Sequence, residues 1–293
     1  VAENPQDHPI LICGAGGRLG RLLRRAAVRE GAEDVLFQAR RPLPDPTGPK
    51  PETGAEIIWT PGESMAALPR ASMVVALWGV TAGSAAELDA NARLVPQGDA
   101  VARACGADRL LHISSAGVYG PGRDLDEAAP LAPVTPYGHA KLAMERAVEA
   151  LQAKGGEGPR HGILRLANVI GADSLAPGLR GDSPIILDRF GDGCGPLRSY
   201  VSATDLFHVI RYLRDISQVD FPAVLNVASR SPVAMEALAR AAGRVVTWAE
   251  APESAVQEVT LSTRHLHRLL PGLRLQETPE EMIADWHALE AVA

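Results

Sequence analysis

The sequence predicts an α/β protein built on a doubly wound parallel sheet, with a smaller, discontinuous lobe towards the C-terminus. Three observations predict it. Short apolar runs alternate with stretches of helical periodicity, the first run ends in a glycine-rich turn that opens a helix, and the alternation loosens after Gly171. Strands alternating with helices pair in parallel through right-handed crossovers, and such sheets bind ligands beyond the C-terminal ends of their strands.

The first strand is Pro9 to Cys13, and the first helix is Arg18 to Glu30, where Leu19, Leu22, Leu23, Ala26 and Ala27 recur at helical spacing. A second strand spans Asp34 to Ala39. Pro42 to Pro51 is so rich in proline that a loop stands where a crossover helix is expected. Further strands read at Ala55 to Trp59, Ser72 to Leu77, Arg109 to Ser114 and Gly162 to Leu166. Helices read at Glu63 to Leu68, about Ala85 to Cys105, and Pro136 to Ala153. Beyond Gly171 come a glycine- and proline-rich stretch, a short strand near Ser199 to Val201, a helix at Ala203 to Asp215 and a strand at Ala223 to Ala228. A helix at Pro232 to Ala242 and two more near Thr263 to Leu270 and Pro279 to Leu289 complete the chain. The expected division is a sheet domain over residues 9–170, completed by segments around 198–230, and a mostly substrate-binding lobe over 171–293.

Composition bounds the function. The 293 residues are 46% apolar, enough for a sizeable core. With 29 Lys and Arg against 35 Asp and Glu, the net charge of -6 provides no basic field for nucleic acid or anionic lipid. Cys13, Cys105 and Cys194 are odd in number and lack C-x-x-C spacing, which argues against a disulfide framework and for a reducing cytoplasmic setting. Val1 to Pro9 is polar, and the longest apolar stretch, Met73 to Val80, is far short of a membrane span. His265 and His267 lie in a basic, solvent-facing helix and the other histidines are scattered, so no metal site is expected. A small-molecule substrate, with neither nucleic acid nor membrane as partner, is the expectation; a homodimer stays open.

Gly14, Gly17 and Gly20 sit between the first strand and first helix, the context a dinucleotide site requires. Glycine lets the backbone turn sharply and approach a pyrophosphate, while the helix N-terminus offers free N–H groups and partial positive charge. The second strand ends Phe37-Gln38-Ala39-Arg40-Arg41, with no carboxylate to accept from an adenosine 2'-hydroxyl and two guanidiniums where a 2'-phosphate would lie. NADP(H) is therefore favoured and NAD(H) remains possible, the alternative for Arg40 and Arg41 being solvated loop charge. Tyr137 and Lys141, four residues apart after Pro136, share one helix face. Ser114 and Ser115 end the strand one crossover earlier. A tyrosine base at neutral pH needs its pKa lowered by about two to three units, which a neighbouring ammonium and an oxidised nicotinamide could do, and a serine hydroxyl can donate to a developing alkoxide.

Together these residues resemble the extended short-chain dehydrogenase/reductase superfamily, the NAD(P)-dependent epimerase/dehydratase group, from Ile10 to about Ser229. The resemblance is carried by Gly14/Gly17/Gly20, His112-Ile-Ser-Ser-Ala-Gly-Val-Tyr-Gly120, Pro136-Tyr-Gly-His-Ala-Lys141, Leu164-Arg-Leu-Ala-Asn-Val-Ile-Gly171, Leu197 to Leu206 and Leu225 to Ser229. It implies a Rossmann-type sheet, Ser115 as the catalytic hydroxyl, Tyr137 as acid/base and Lys141 as the ribose-binding lysine. Ser114 is then structural. It places Gly14, Gly17, Arg18, Leu19, Gly20, Arg40, Arg41 and Leu77 at the cofactor, with Tyr137 and Lys141. It also puts Asn168 near substrate and matches Arg198 to an arginine that contacts the nucleotide diphosphate in UDP-galactose 4-epimerase-like members, with a structural role open for either. Cys13, Thr60 or Trp59, and Leu77-Trp78-Gly79 depart from the family pattern; Trp78 either narrows the nicotinamide side or is core. Ala116-Gly117 replaces the Asp-Glu pair of the dehydratases, which disfavours elimination. The implied activity is hydride transfer at a carbinol or carbonyl carbon of a nucleotide-activated sugar or similar polyol. A reductase of a small non-nucleotide carbonyl and a non-catalytic NADP(H) sensor are the alternatives.

Overall fold

Ile10 to Cys13 has no exposed side chain at any of its four positions, which only a strand covered on both faces can achieve. Ile10 and Ile12 join one apolar cluster, and Leu11 and Cys13 join a second on the other side of the sheet. The computed structural model describes residues 8–42 and 56–292. In chain order its elements are β1 (Ile10–Cys13), α1 (Arg18–Arg29), β2 (Val35–Ala39), β3 (Glu56–Ile58), β4 (Met73–Ala76), α2 (Ala85–Leu88), α3 (Ala90–Arg93), α4 (Val95–Cys105), β5 (Arg109–Ser115), β6 (Gly122–Leu125), α5 (Pro136–Ala153), β7 (Arg160–Leu166) and β8 (Asn168–Val169). There follow α6 (Ala176–Arg180), β9 (Ile185–Arg189), β10 (Leu197–Arg198), β11 (Tyr200–Val201), α7 (Ala203–Asp215), β12 (Val224–Val227), β13 (Val233–Ala234), α8 (Met235–Ala241), β14 (Val246–Glu250), β15 (Glu258–Leu261), α9 (Arg264–Leu269) and α10 (Pro279–Ala291).

Seven strands form one parallel sheet in the order β12-β7-β5-β4-β1-β2-β3. The chain winds outward from β1 to β3, crosses back to β4, and winds the other way to β12. The order reverses between β1 and β4, which leaves a crevice at their C-terminal ends. This is the doubly wound Rossmann-type α/β fold the alternation predicts. Helix α1 buries Leu22, Leu23, Ala26 and Ala27 against the sheet and packs on α7 and α10. Arg29 binds Thr204 and Asp285, and Arg25 binds Glu290, so the C-terminal helix is tied to the first one.

Several elements differ from expectation. Glu63 to Leu68 forms only a 3-10 turn over Met65–Ala67, because Pro61 and Pro69 leave too few residues for a helix and the Ser64 hydroxyl caps the turn. The helix expected over about Ala85 to Cys105 is broken at Asp89 and Leu94 into α2, α3 and α4. Pro96 lacks an N–H to continue the ladder, and the Asn91 amide donates to the carbonyls of Leu88 and Val80. Strands β6, β9, β14 and β15 went unread. They pair outside the main sheet, β9 with β14 and β6 in the order β13-β10-β15-β6. Ser199 to Val201 contributes only β11, which pairs with β8. The proline-rich loop, apart from Pro42, and the polar N-terminal segment before His8 lie outside the described residues. Among the described residues no helix is long and apolar enough to cross a membrane.

Candidate active site

The ends of β1, β4 and β5 bring the sequence motifs to one edge. Helix α1 starts at Arg18 with Gly17 as N-cap and no side-chain cap, so its first N–H groups are left for a ligand. Gly14 has φ +94, and a Cβ there would stand 2.9 Å from the Trp78 nitrogen, because β1 runs tight against the residues after β4. A Cβ on Gly20 would lie 2.6 Å from the Ala15 Cα, so glycine lets the helix lie on the turn. Gly17 faces open space, its nearest constraint being the Gly14 oxygen at 3.5 Å. An exposed, uncapped turn carrying Arg18 fits the pyrophosphate of a dinucleotide. Leu19 and Leu77 are half-buried and pack on the main core cluster.

Gln38 holds this turn, a role the sequence reading missed. It is 1% exposed; its backbone carbonyl accepts from Gly14 and Ala15 at 3.1 and 2.9 Å, its side-chain oxygen accepts from the Gly14 N–H at 3.1 Å, and its amide donates to the Trp59 carbonyl. The one available signal was an uncharged amide at the end of a buried strand. Arg40 and Arg41 follow, both exposed and without an ion pair among the described residues. Trp59 is a buried member of the second core cluster, and half-buried Trp78 packs against it.

Ser115 ends β5, and its hydroxyl accepts from the Gly117 N–H at 3.1 Å. Thr135 caps α5 by accepting from Gly138, and Pro136 occupies the first turn. That start packs on the turn after β5, where a Cβ on Gly138 would stand next to the Gly117 oxygen, and brings Tyr137 close to Ser115. Burial pushes the phenol up to about 12, against the pull of the Ser115 hydroxyl and the positive charge of Arg18. Lys141 is 5% exposed; its ammonium donates to the Ile113 carbonyl at 2.8 Å and lies 5.8 Å from the Tyr137 ring centroid. Burial pulls it down to about 8, against attraction by Glu145. The ammonium is turned to the Ile113 carbonyl, and the cation acting on the phenol is Arg18. A Cβ on Gly79 would stand 3.4 Å from the Lys141 nitrogen, so the loop after β4 closes over it. At neutral pH this pair presents a protonated phenol and a serine hydroxyl to any oxygen placed between them.

Behind them lies a network in which the sequence reading assigned only Ser114, as structural. Ser114 donates to Glu145, Glu145 pairs with Arg165 at 2.8 Å, and Arg165 donates to the Tyr119 hydroxyl at 2.8 Å. Tyr119 donates to Asn226 at 2.8 Å. Asn168, on β8, is half-buried opposite Tyr200. Arg198 is half-buried and donates to the carbonyls of Leu197, Gln257 and Val256 at 2.8, 2.7 and 2.6 Å. Its guanidinium is largely committed to the chain itself. His112 packs inside the sheet, stacked on His161 with ring centroids 5.2 Å apart. Among the described residues no group of His, Cys, Asp and Glu could hold a metal ion.

A family model described as NAD dependent epimerase/dehydratase matches residues 10–228. The chain belongs to that family. The match runs from β1 to just past β12 and takes in the glycine turn, Ser115, Tyr137 and Lys141. A dTDP-6-deoxy-L-talose 4-dehydrogenase (NAD(P)(+)) of Kitasatospora kifunensis is 29% identical over 248 residues, covering 76% of this chain and 74% of its own. Among solved structures, MoeE5 in complex with UDP-glucuronic acid and NAD superposes with a TM-score of 0.76 at 23% identity, over 94% of this chain and 97% of its own. TunA, an NAD-dependent NDP-hexosamine 5,6-dehydratase of tunicamycin biosynthesis, gives a TM-score of 0.74 at 24% identity, over 97% of each chain. For this epimerase/dehydratase family member, those two likenesses are of fold.

Proposed function

We propose that the protein is an NADP(H)-dependent oxidoreductase or epimerase that moves hydride at a carbinol or carbonyl carbon of a nucleotide-activated sugar or similar polyol. The observation that carries this reading is the placement of Tyr137 close to Ser115, with buried Lys141 four residues on, at the sheet edge that also holds the uncapped glycine turn. A bound nicotinamide supplies the hydride donor or acceptor. The phenol, protonated in the free protein, gives its proton to the substrate oxygen in the reducing direction and takes it back in the oxidising one. Ser115 orients that oxygen by hydrogen bonding, and Lys141 would hold the nicotinamide ribose. Asn168 would contact substrate. The names of the dehydrogenase relative and of MoeE5 with its UDP-sugar support a nucleotide-sugar substrate. Ala116 and Gly117 place no carboxylate after Ser115, which supports hydride transfer without elimination, although the fold is shared with a dehydratase.

Arg40 and Arg41 support NADP(H). Exposed guanidiniums after β2 offer charge-assisted contacts to a 2'-phosphate, worth about 1.5 to 3 kcal/mol or roughly 10- to 150-fold in affinity. Titration with NADPH and NADH should show that margin, and Arg40→Ala with Arg41→Ala should remove it while leaving NADH binding unchanged. Equal wild-type affinities would return the cofactor to NAD(H). The commitment of Arg198 to three backbone carbonyls favours a second reading, a reductase of a small non-nucleotide carbonyl. Tyr137→Phe decides whether the site is catalytic at all: turnover should fall roughly 100-fold or more with cofactor binding within a few-fold of wild type. Wild-type turnover in that variant would remove Tyr137 as the acid/base, and a wild-type protein that binds cofactor but turns nothing over would leave the non-catalytic sensor standing.

A further inference from the structure

A cavity of about 710 Å3 lies away from the catalytic residues, between the loop that follows β6, the residue Arg230 after β12, and α9. None of Ser115, Tyr137, Lys141 or the turn glycines lines it. Its wall carries three guanidiniums, from Arg230, Arg264 and Arg268. Arg264 is held by Asp124 at 3.0 Å and by the Ser262 hydroxyl at 2.9 Å. The guanidiniums of Arg230 and Arg268 have no acidic partner among the described residues. His267 lines it too, with its Nε2 closed to solvent and without a hydrogen-bond partner.

The acids nearby are occupied. Asp126 accepts from the Ala128 N–H at 3.1 Å, and Glu127 accepts from the Asn226 N–H at 2.9 Å and faces His265 at 3.6 Å. Glu277, before α10, accepts from the N–H groups of Arg230 and Ser231 at 2.9 and 3.2 Å. Two guanidiniums without an acidic partner thus remain on one wall, beside His267. A tetrahedral anion with several oxygens can accept from both at once, whereas a planar carboxylate matches a single guanidinium fork. The volume is that of a site for a small organic ligand, far more than a bare phosphate fills.

We propose that this cavity is a second, non-catalytic binding site for a small phosphomonoester, gripped by Arg230 and Arg268 with His267 beside it. The proposal stands independently of the reading of the catalytic site. Burial, then the positive charge of Arg230, hold the His267 imidazole below its ordinary range, with Glu277 acting the other way. His265, Arg264, Asp126 and Glu127 complete its charged surroundings. A bound anion reverses that balance and draws a proton onto the ring.

The test follows the His267 ring by nitrogen-15 NMR, assigned with His267→Asn, during titration with glucose 1-phosphate, inorganic phosphate or sulfate. Glucose 1-phosphate should shift the ring signals saturably and raise the midpoint of the His267 titration by about one pH unit. Arg230→Gln with Arg268→Gln should weaken that binding at least about 10-fold, at an unchanged melting temperature, since neither side chain has a partner to lose. Inorganic phosphate and sulfate should bind more weakly. An unmoved His267, or binding that the double variant leaves intact and that tracks the glycine turn, would overturn the site. Inorganic phosphate binding as tightly as glucose 1-phosphate would overturn the phosphomonoester assignment.

Discussion

Lys141 is a cation folded into a place that does not favour cations. A lysine whose folded pKa lies below its unfolded value binds fewer protons in the fold, so stability rises with pH between about 8 and 10.5, and the penalty is fully present below 8. That difference corresponds to about 3 kcal/mol at neutral pH, an upper figure because the Ile113 hydrogen bond returns some of it. Lys141→Met should therefore stabilise the protein at pH 7, by up to about 3 kcal/mol in urea unfolding, with the gain shrinking towards pH 10, while cofactor affinity falls. A variant no more stable than wild type at pH 7 would mean that the ammonium is better solvated than its 5% exposure implies. The position was legible from the four-residue spacing after Pro136. Its protonation balance was not, because burial by β5 and the Gly79 loop comes from distant segments.

Helix α5 turns spacing into a site. Tyr137, Lys141 and Glu145 fall at steps of four on one face, and Pro136 with Thr135 sets where the face begins. Its bounds were readable residue for residue because the start is a capping signal and the run lacks an internal proline or glycine break after Gly138. Glu145 then joins α5 to β5 through Ser114 and to β7 through Arg165. Glu145 and Arg165 are 1% and 4% exposed, so removing one partner strands a buried charge. Glu145→Ala should cost about 3 to 5 kcal/mol in denaturant unfolding, and it should disturb Ser115 through its neighbour. A loss under about 1 kcal/mol would place the pair in the class of exposed ion pairs. Helices α2 to α4 show the opposite case: amphipathic spacing alone suggested one helix, but Asn91 and Pro96 divide it.

Across the whole molecule, a line of polar groups runs through the sheet from α4 to β5. Asp99 contacts His161 at 3.2 Å, and His161 contacts His112 at 3.1 Å. Burial, then the charges of His161 and Lys141, pull His112 down to about 3, and burial also lowers His161. A histidine with a lowered folded pKa contributes stability that is present above its unfolded value near 6.5 and is lost as pH falls towards the folded one. Asp173 and Asp205, pushed up to about 6 by burial, act in the opposite sense over the same range. Comparison with His112→Leu/His161→Leu cancels them. Between pH 6.5 and pH 5 the wild type should lose about 2 kcal/mol or more relative to that double variant, measured by guanidinium unfolding at each pH. Parallel slopes would show that the histidines are already charged in the fold.

The sequence by itself determined the parallel α/β architecture, the glycine turn at the head of α1, the face of α5 and the order in which Ser115, Tyr137 and Lys141 arrive. Each rests on a local property: strand and helix periodicity, glycine where backbones touch, a capped start, a spacing of four. The tertiary structure alone decided that β6, β9, β14 and β15 are strands, since each is four or five residues long and exists through pairing with distant chain. It decided that the Lys141 ammonium turns to the Ile113 carbonyl, that Gln38 locks the turn, and that Arg198 spends its donors on three carbonyls. Those outcomes depend on crossovers that join residues some 20 to 140 positions apart and on which charges lose their water in doing so, and neither leaves a mark on neighbouring residues in the chain.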